Sequence, residues 1–210
     1  MKKNGLMKKG FLLFVFIIGL LSLGACNNQN KKTGEKEADF SGVVQEEQRE
    51  EKSGDTEKTE EEKIEAPDFT AVDGEGNQVS LSDLKGKVVF LNFWGSWCPP
   101  CVAEMPHIQS MYEKYTKDRE DVAFLAINDQ TQPREKPIAE VKQWLEEKGY
   151  TFPVAYDTDS SITQKYSIRA FPTTFMIDKE GYVYGYVPGG LTEEQMEEII
   201  ELTLDHSSQE

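Results

Sequence analysis

Two cysteines three residues apart, Cys98 and Cys101 in Trp97-Cys98-Pro99-Pro100-Cys101, are the residues of this chain best suited to chemistry. A thiolate is the attacking species in disulfide exchange, and the partial positive charge of a helix N-terminus stabilises it. A helix opening at Cys98 would make that thiol ionise readily and present an exposed sulfur to a substrate disulfide. Cys101, one turn inside, would then resolve the mixed disulfide. Pro99 and Pro100 fix the backbone between them and supply no amide hydrogen to the thiolate. Proline is tolerated there because first-turn N–H groups have no helical partner in any case. The alternatives are an inert disulfide or a structural zinc site. Zinc takes four Cys or His ligands. Only His107 and His206 remain to supply them, the first expected on a solvated helix face and the second in a frayed C-terminus. Neither a metal nor a cofactor is therefore expected beyond the dithiol itself.

The elements that must position this pair can be read from apolar periodicity and turn signals. Lys87 to Phe93 is a continuous apolar strand of the kind buried at the centre of an α/β sheet. It leads into a helix from near Cys98 to about Tyr115, with Pro106 as an expected kink. Upstream, Asp73-Gly74-Glu75-Gly76-Asn77 joins two short strands in a hairpin. Downstream, Val122–Asn128 reads as a buried strand, and 137–148 as an amphipathic helix carrying Ile138, Val141, Trp144 and Leu145. Then come a strand over 151–156, a short helix over 159–166, and strands over 173–177 and 182–187 joined at Asp178-Lys179-Glu180-Gly181. Thr192 with Gln195 forms a capping box for a last helix to about Leu204. The alternation predicts an α/β fold, a mixed central sheet flanked by helices on both faces.

The chain has 210 residues and a net charge of −15. Residues 1–26 hold four lysines and no acid; 27–64 hold seven basic and twelve acidic residues; 65–210 hold twelve basic and twenty-six acidic residues. An acidic domain without Lys and Arg clusters argues against a nucleic acid partner. Lys2, Lys3, Lys8 and Lys9 precede an apolar run from Phe11 to Leu23, too short for a spanning helix and suited to a cleaved signal peptide. Residues 26–64 have almost no large apolar side chains and are expected to be a disordered charged tether, spanning about 35 Å on average. The folded domain is placed at 65–205, with 206–210 as a disordered tail.

The run Leu23-Gly24-Ala25-Cys26 resembles the bacterial lipobox. The resemblance implies that residues 1–25 are a lipoprotein signal peptide and that Cys26 is acylated, two acyl chains being enough for stable anchoring. The alternative is an uncleaved, short membrane anchor. Either places the rest of the chain on the extracytoplasmic face of a bacterial, Gram-positive cell membrane.

The block from Ala66 to Cys101 and that from Ala170 to Gln195 resemble the extracytoplasmic thioredoxin-like family that includes TlpA, ResA and DsbE-type proteins, within the AhpC/TSA redoxin superfamily. The resemblance implies a thioredoxin fold with an N-terminal β-hairpin and an inserted helical segment near 129–148. It further implies a cis Phe171–Pro172 bond facing the dithiol, with Pro172 part of the catalytic site. Trp97, Pro99 and Phe171 are expected to contact substrate, while Trp94 belongs to the core. Asn92 stands where thioredoxin carries a buried acid. Glu104 could take part in proton transfer near the buried thiol; the other reading is a solvated carboxylate favoured by the helix dipole. ResA-type proteins carry Glu between the cysteines where this chain has Pro.

What the resemblance implies is a monomeric thiol–disulfide oxidoreductase acting on protein disulfides of exported chains, apocytochrome c among them, and recharged by a membrane thiol carrier of the CcdA or DsbD type. The competing readings are a disulfide-forming oxidase, a peroxiredoxin-like peroxidase, and a non-catalytic chaperone or metal-delivery module. Against the peroxidase stands Gly95, where peroxiredoxins carry Thr. Against copper delivery stand the short Cys spacing and the lack of a distant His.

Overall fold

A computed structural model describes residues 63–209. The signal peptide, Cys26 and nearly all of the tether expected from the sequence lie outside the described residues. The elements run β1 (Thr70–Asp73), β2 (Gln78–Ser80), β3 (Val88–Trp94), α1 (Pro99–Thr116), β4 (Val122–Asp129), α2 (Ile138–Lys148), β5 (Val154–Asp157), α3 (Ser161–Lys165), β6 (Thr173–Ile177), β7 (Val183–Pro188) and α4 (Glu193–Ser207), with a 3₁₀ turn at Leu81–Leu84. The seven strands form one sheet in the order β2-β1-β5-β4-β3-β6-β7. β3 pairs parallel with β4 and antiparallel with β6, and β4 pairs parallel with β5. The sheet is therefore mixed, as the alternation of elements predicts.

β3 is the axis of the molecule because all seven of its residues are buried. Successive side chains of a strand point to opposite faces, so β3 feeds two cores at once. Val88, Phe90 and Trp94 join the core made with Met105, Ile108 and Met111 of α1 and Met196, Ile199 and Ile200 of α4. Val89, Leu91 and Phe93 join the opposite core with Phe69, Ile162 and Tyr166. Asn92 falls in the first series, a polar residue directed at the α1 and α4 face. In the ladder it lies opposite Thr174 of β6.

The element boundaries differ from expectation where a local group decides them. β5 begins at Val154 because Pro153 has no N–H to donate; its carbonyl still accepts from Ala126 N at 3.0 Å. α3 begins at Ser161, whose amide is taken by the Asp159 carboxylate at 3.0 Å, so Asp159 precedes the helix. The domain starts before residue 65, since Ile64 O accepts from Val183 N at 2.8 Å. The last helix continues to Ser207, with the Ser207 hydroxyl on Thr203 O at 2.9 Å. His206 is thus not in a frayed tail: its ring lies 5.0 Å from that of Tyr184.

The end of α2 and the capping box of α4 stand where the sequence places them. α2 ends at Gly149, which adopts φ 75°, a left-handed conformation that glycine enters without a Cβ penalty. The capping box of α4 is complete, with Gln195 N on Thr192 Oγ1 at 3.3 Å and Thr192 N on Gln195 Oε1 at 2.9 Å. Thr192→Ala should lower stability by about 1 kcal/mol, read as a reduced urea midpoint at unchanged slope.

Candidate active site

β3 ends at Trp94 and α1 begins at Pro99, so a loop of four residues carries Cys98 to the helix N-terminus. Cys98 is the N-cap residue, in extended conformation, with Pro99 and Pro100 at the first two helical positions. Both prolines lack an N–H, so the first amide of the helix that can point back is that of Cys101. It donates to Cys98 Sγ at 3.4 Å. The two cysteines form a disulfide with Cα atoms 5.3 Å apart. Cys101 is 0% exposed, and Cys98 only 3%. The expected exposed sulfur is therefore not found: in this oxidised form Cys98 turns its sulfur in to Cys101 and packs with the core below.

The Phe171–Pro172 bond is cis. Phe171 meets Trp97 edge to face at 6.0 Å between centroids, and both are half-buried. Pro172 is buried, and its carbonyl accepts from Gly189 N at 2.8 Å. Pro99 is exposed at the rim. Trp94 is fully buried and belongs to the core, as expected. His107 is half-exposed and stands 3.6 Å from Glu193. Among the described residues, no group of three or more His, Cys, Asp or Glu is arranged to hold a metal ion.

Glu104 is not a solvated carboxylate. It lies in the second turn of α1 and is 2% exposed. Three residues separate it from Cys101, placing the two on one face of the helix. Asn92 Nδ2 donates to Glu104 Oε1 at 3.0 Å, and Leu191 N donates to Oε2 at 3.0 Å. Asn92 Nδ2 also donates to Thr174 Oγ1 at 3.0 Å. Burial disfavours the charged carboxylate more than these two donors favour it, and the Glu104 pKa is pushed up to about 7. The acid that Asn92 lacks is thus supplied from the facing helix, into the same interior beneath the dithiol. Thr174 and the Leu191 amide complete the arrangement, and nothing local in the sequence signals either.

A second contact also escapes sequence reasoning. Glu135, in the segment inserted between β4 and α2, accepts from Ser96 N at 2.8 Å, from the Ser96 hydroxyl and from Asn128 Nδ2 at 3.1 Å. Its neighbour Arg134 lies over Trp97, the guanidinium carbon 4.3 Å from the ring centroid. Gly95 allows this packing. A Cβ there would stand 2.7 Å from Trp97 Nε1 and 3.1 Å from Glu135 Oε2, so the threonine of a peroxidase does not fit.

A dithiol at a strand-to-helix junction, on a mixed sheet flanked by helices, defines a thioredoxin-fold thiol–disulfide oxidoreductase. Comparison with known proteins agrees. The profile of the AhpC/TSA family matches residues 63–185. A "Thiol-disulfide oxidoreductase ResA" of Bacillus thuringiensis (strain Al Hakam) is 43% identical over 133 residues, 63% of this chain and 73% of the relative. Among solved structures, the pneumococcal exposed lipoprotein thioredoxin of Streptococcus pneumoniae strain TIGR4 has a TM-score of 0.57 at 31% identity, covering 65% of this chain and 99% of that one. StoA from Bacillus subtilis has a TM-score of 0.55 at 30% identity, covering 63% and 95%. The chain belongs to the AhpC/TSA family, and its curated relatives are ResA-type thiol–disulfide oxidoreductases.

Because burial raises the Glu104 pKa, the folded protein holds this proton more tightly than the unfolded chain. The resulting stabilisation is full below the ordinary value of 4.5, shrinks as pH rises towards about 7, and is absent above it. Wild type should therefore lose stability relative to Glu104→Gln across that interval, by on the order of 3 kcal/mol. Urea unfolding of both oxidised proteins at a series of pH values measures the difference.

Proposed function

We propose that this protein is a membrane-tethered reductase of disulfides in exported proteins. The observation that carries the reading is the helix-capping dithiol with Glu104, buried and poised near neutral pH, one turn behind it. In the reduced protein Cys98 attacks as the thiolate. A bond forms between its sulfur and one substrate sulfur as the substrate disulfide breaks, and the departing sulfur takes the electron pair and a proton from water. Cys101 gives its proton to Glu104, and its thiolate then attacks Cys98 Sγ. The intermolecular bond breaks, and the second substrate sulfur leaves to take up the proton that Glu104 holds. The substrate gains two electrons and two protons, and the protein is left with the Cys98–Cys101 disulfide.

Asn92 and the Leu191 amide hold Glu104 in place for this step, since each fixes one carboxylate oxygen. Trp97, Pro99, Phe171 and Pro172 form the surface on which the substrate chain rests. Recharging requires two electrons from outside the domain, and a membrane thiol carrier of the CcdA or DsbD type suits a protein held by acylated Cys26. The lipoprotein relative from Streptococcus pneumoniae supports that anchoring. Oxidised surface proteins and apocytochrome c are the candidate substrates.

With dithiothreitol as reductant, the full chain should accelerate insulin reduction, and Cys98→Ser should abolish the acceleration. Pre-reduced Cys101→Ser, offered insulin after the dithiothreitol has been removed, should instead accumulate a mixed disulfide through Cys98. Glu104→Gln should slow turnover by on the order of a hundredfold and remove the rise in rate through pH 7, because only the charged carboxylate accepts the Cys101 proton. No acceleration by wild type would refute the reading. A dithiol potential near about −270 mV supports a reductant, and one near about −120 mV an oxidant. Separately, a radiolabelled lipid precursor should mark wild type and not Cys26→Ala.

A further inference from the structure

The inserted segment touches the dithiol loop through two adjacent residues of opposite charge, and the exchange steps above use neither. Glu135 turns inward. Its oxygens are taken by Ser96 N and Oγ, by Asn128 Nδ2 and, at 2.9 Å, by Lys136 N. It is thus committed to holding the loop before Cys98 and does not pair with its neighbour. Arg134 turns outward and is exposed, with its guanidinium over the face of Trp97. Among the described residues that ring is its one partner; no carboxylate accepts its N–H groups.

With its guanidinium carbon 4.3 Å from the ring centroid and no carboxylate bonded to it among the described residues, the exposed Arg134 keeps an N–H fork available to an incoming chain. That fork matches a carboxylate with two parallel hydrogen bonds. Trp97 precedes Cys98 in the chain and is itself braced from a second side by Phe171. The guanidinium therefore lies over the side chain that precedes Cys98, at the rim that Trp97 forms with Phe171.

We propose that Arg134 is a specificity residue, receiving a Glu or Asp carboxylate that lies next to the disulfide cysteine of the substrate chain. The preferred substrates are then polypeptides with an acidic residue beside the cysteine that Cys98 attacks. This rests on the exchange reading above and sharpens it to a substrate class. The acidic surface of the domain does not contradict it. Repulsion from charges more than about 8 Å away is largely screened at physiological ionic strength, whereas an ion pair in direct contact lies well inside that length.

The test uses two synthetic peptides, each with one intramolecular disulfide, that differ only in Glu or Gln beside the attacked cysteine. Each is offered to the pre-reduced full chain at physiological ionic strength. Its rate is divided by the rate with free dithiothreitol, which removes the peptide's intrinsic reactivity. Wild type should favour the Glu peptide by about threefold to tenfold. Arg134→Gln should lose the preference, Arg134→Lys should keep part of it as a charge without the fork, and Arg134→Glu should reverse it. Lys117→Gln, at the far end of α1, should leave it unchanged. Equal normalised rates in wild type, or a preference that survives Arg134→Gln, would overturn the proposal. Failure to reduce either peptide while dithiothreitol reduces both would overturn the exchange reading, and this proposal with it.

Discussion

A carboxylate withdrawn from water costs several kcal/mol unless donors are brought to it, and the centre of this domain is arranged around one such group. Glu104 lies beneath the dithiol with one oxygen on Asn92 and the other on the Leu191 amide. Those donors come from the central strand and from the residue just before the last helix's cap. Meeting the needs of one side chain therefore fixes α1 against β3 and the start of α4 against both. Thr174 extends the constraint to β6, where it takes the second hydrogen of the Asn92 amide. The same carboxylate is poised near neutral pH because burial outweighs the two donors. Structural cohesion and proton availability thus come from a single placement.

The placement follows from strand periodicity. Val88, Phe90, Asn92 and Trp94 share one face of β3, and only the third is polar. The apolar members seal that face against α1 and α4 and leave Asn92 in a dry interior, 1% exposed. A buried amide must find partners, and Glu104 is the acid that α1 presents there. Asn92 Nδ2 is met by Glu104 and Thr174, whereas Asn92 Oδ1 has no hydrogen-bond partner among the described residues.

This coupling explains what could be read from the chain and what could not. The strand that became β3, the hairpin at 73–77 and the Thr192–Gln195 box depend on neighbours in sequence, and composition and spacing expose them. Cys98 and Cys101 were legible for the same reason, since their chemistry lies in a spacing of three. The environment of Glu104 depends on residues 12 and 87 positions away, and a carboxylate one turn past a helix start reads equally well as solvated. Glu135 and Arg134 reach Ser96 and Trp97 from the inserted segment, where no periodicity marks them. The bond from Ile64 to Val183 leaves no mark in the sequence, because Ile64 stands alone at the end of a charged stretch.

Glu104, in the second turn of α1, and Glu135, bonded to the loop before Cys98, show a common logic. Negative charge near Cys98 opposes thiolate formation, and in a domain so rich in acids it would be hard to avoid. Glu104 avoids it by being neutral over part of the working pH range. Glu135 has its charge spread over backbone and side-chain donors of Ser96 and Asn128, while Arg134, the residue before it, places a compensating cation over Trp97. The inserted segment does more than lengthen a connection between β4 and α2. It supplies the hydrogen bonds that hold the loop before Cys98, and the charge that offsets their source. Pro99 and Pro100 remove two amides that would otherwise favour the thiolate, leaving Cys101 N as the helix donor seen at Cys98 Sγ. The reactivity of Cys98 is therefore set by a few groups of opposing sign from α1, the inserted segment and the loop between them.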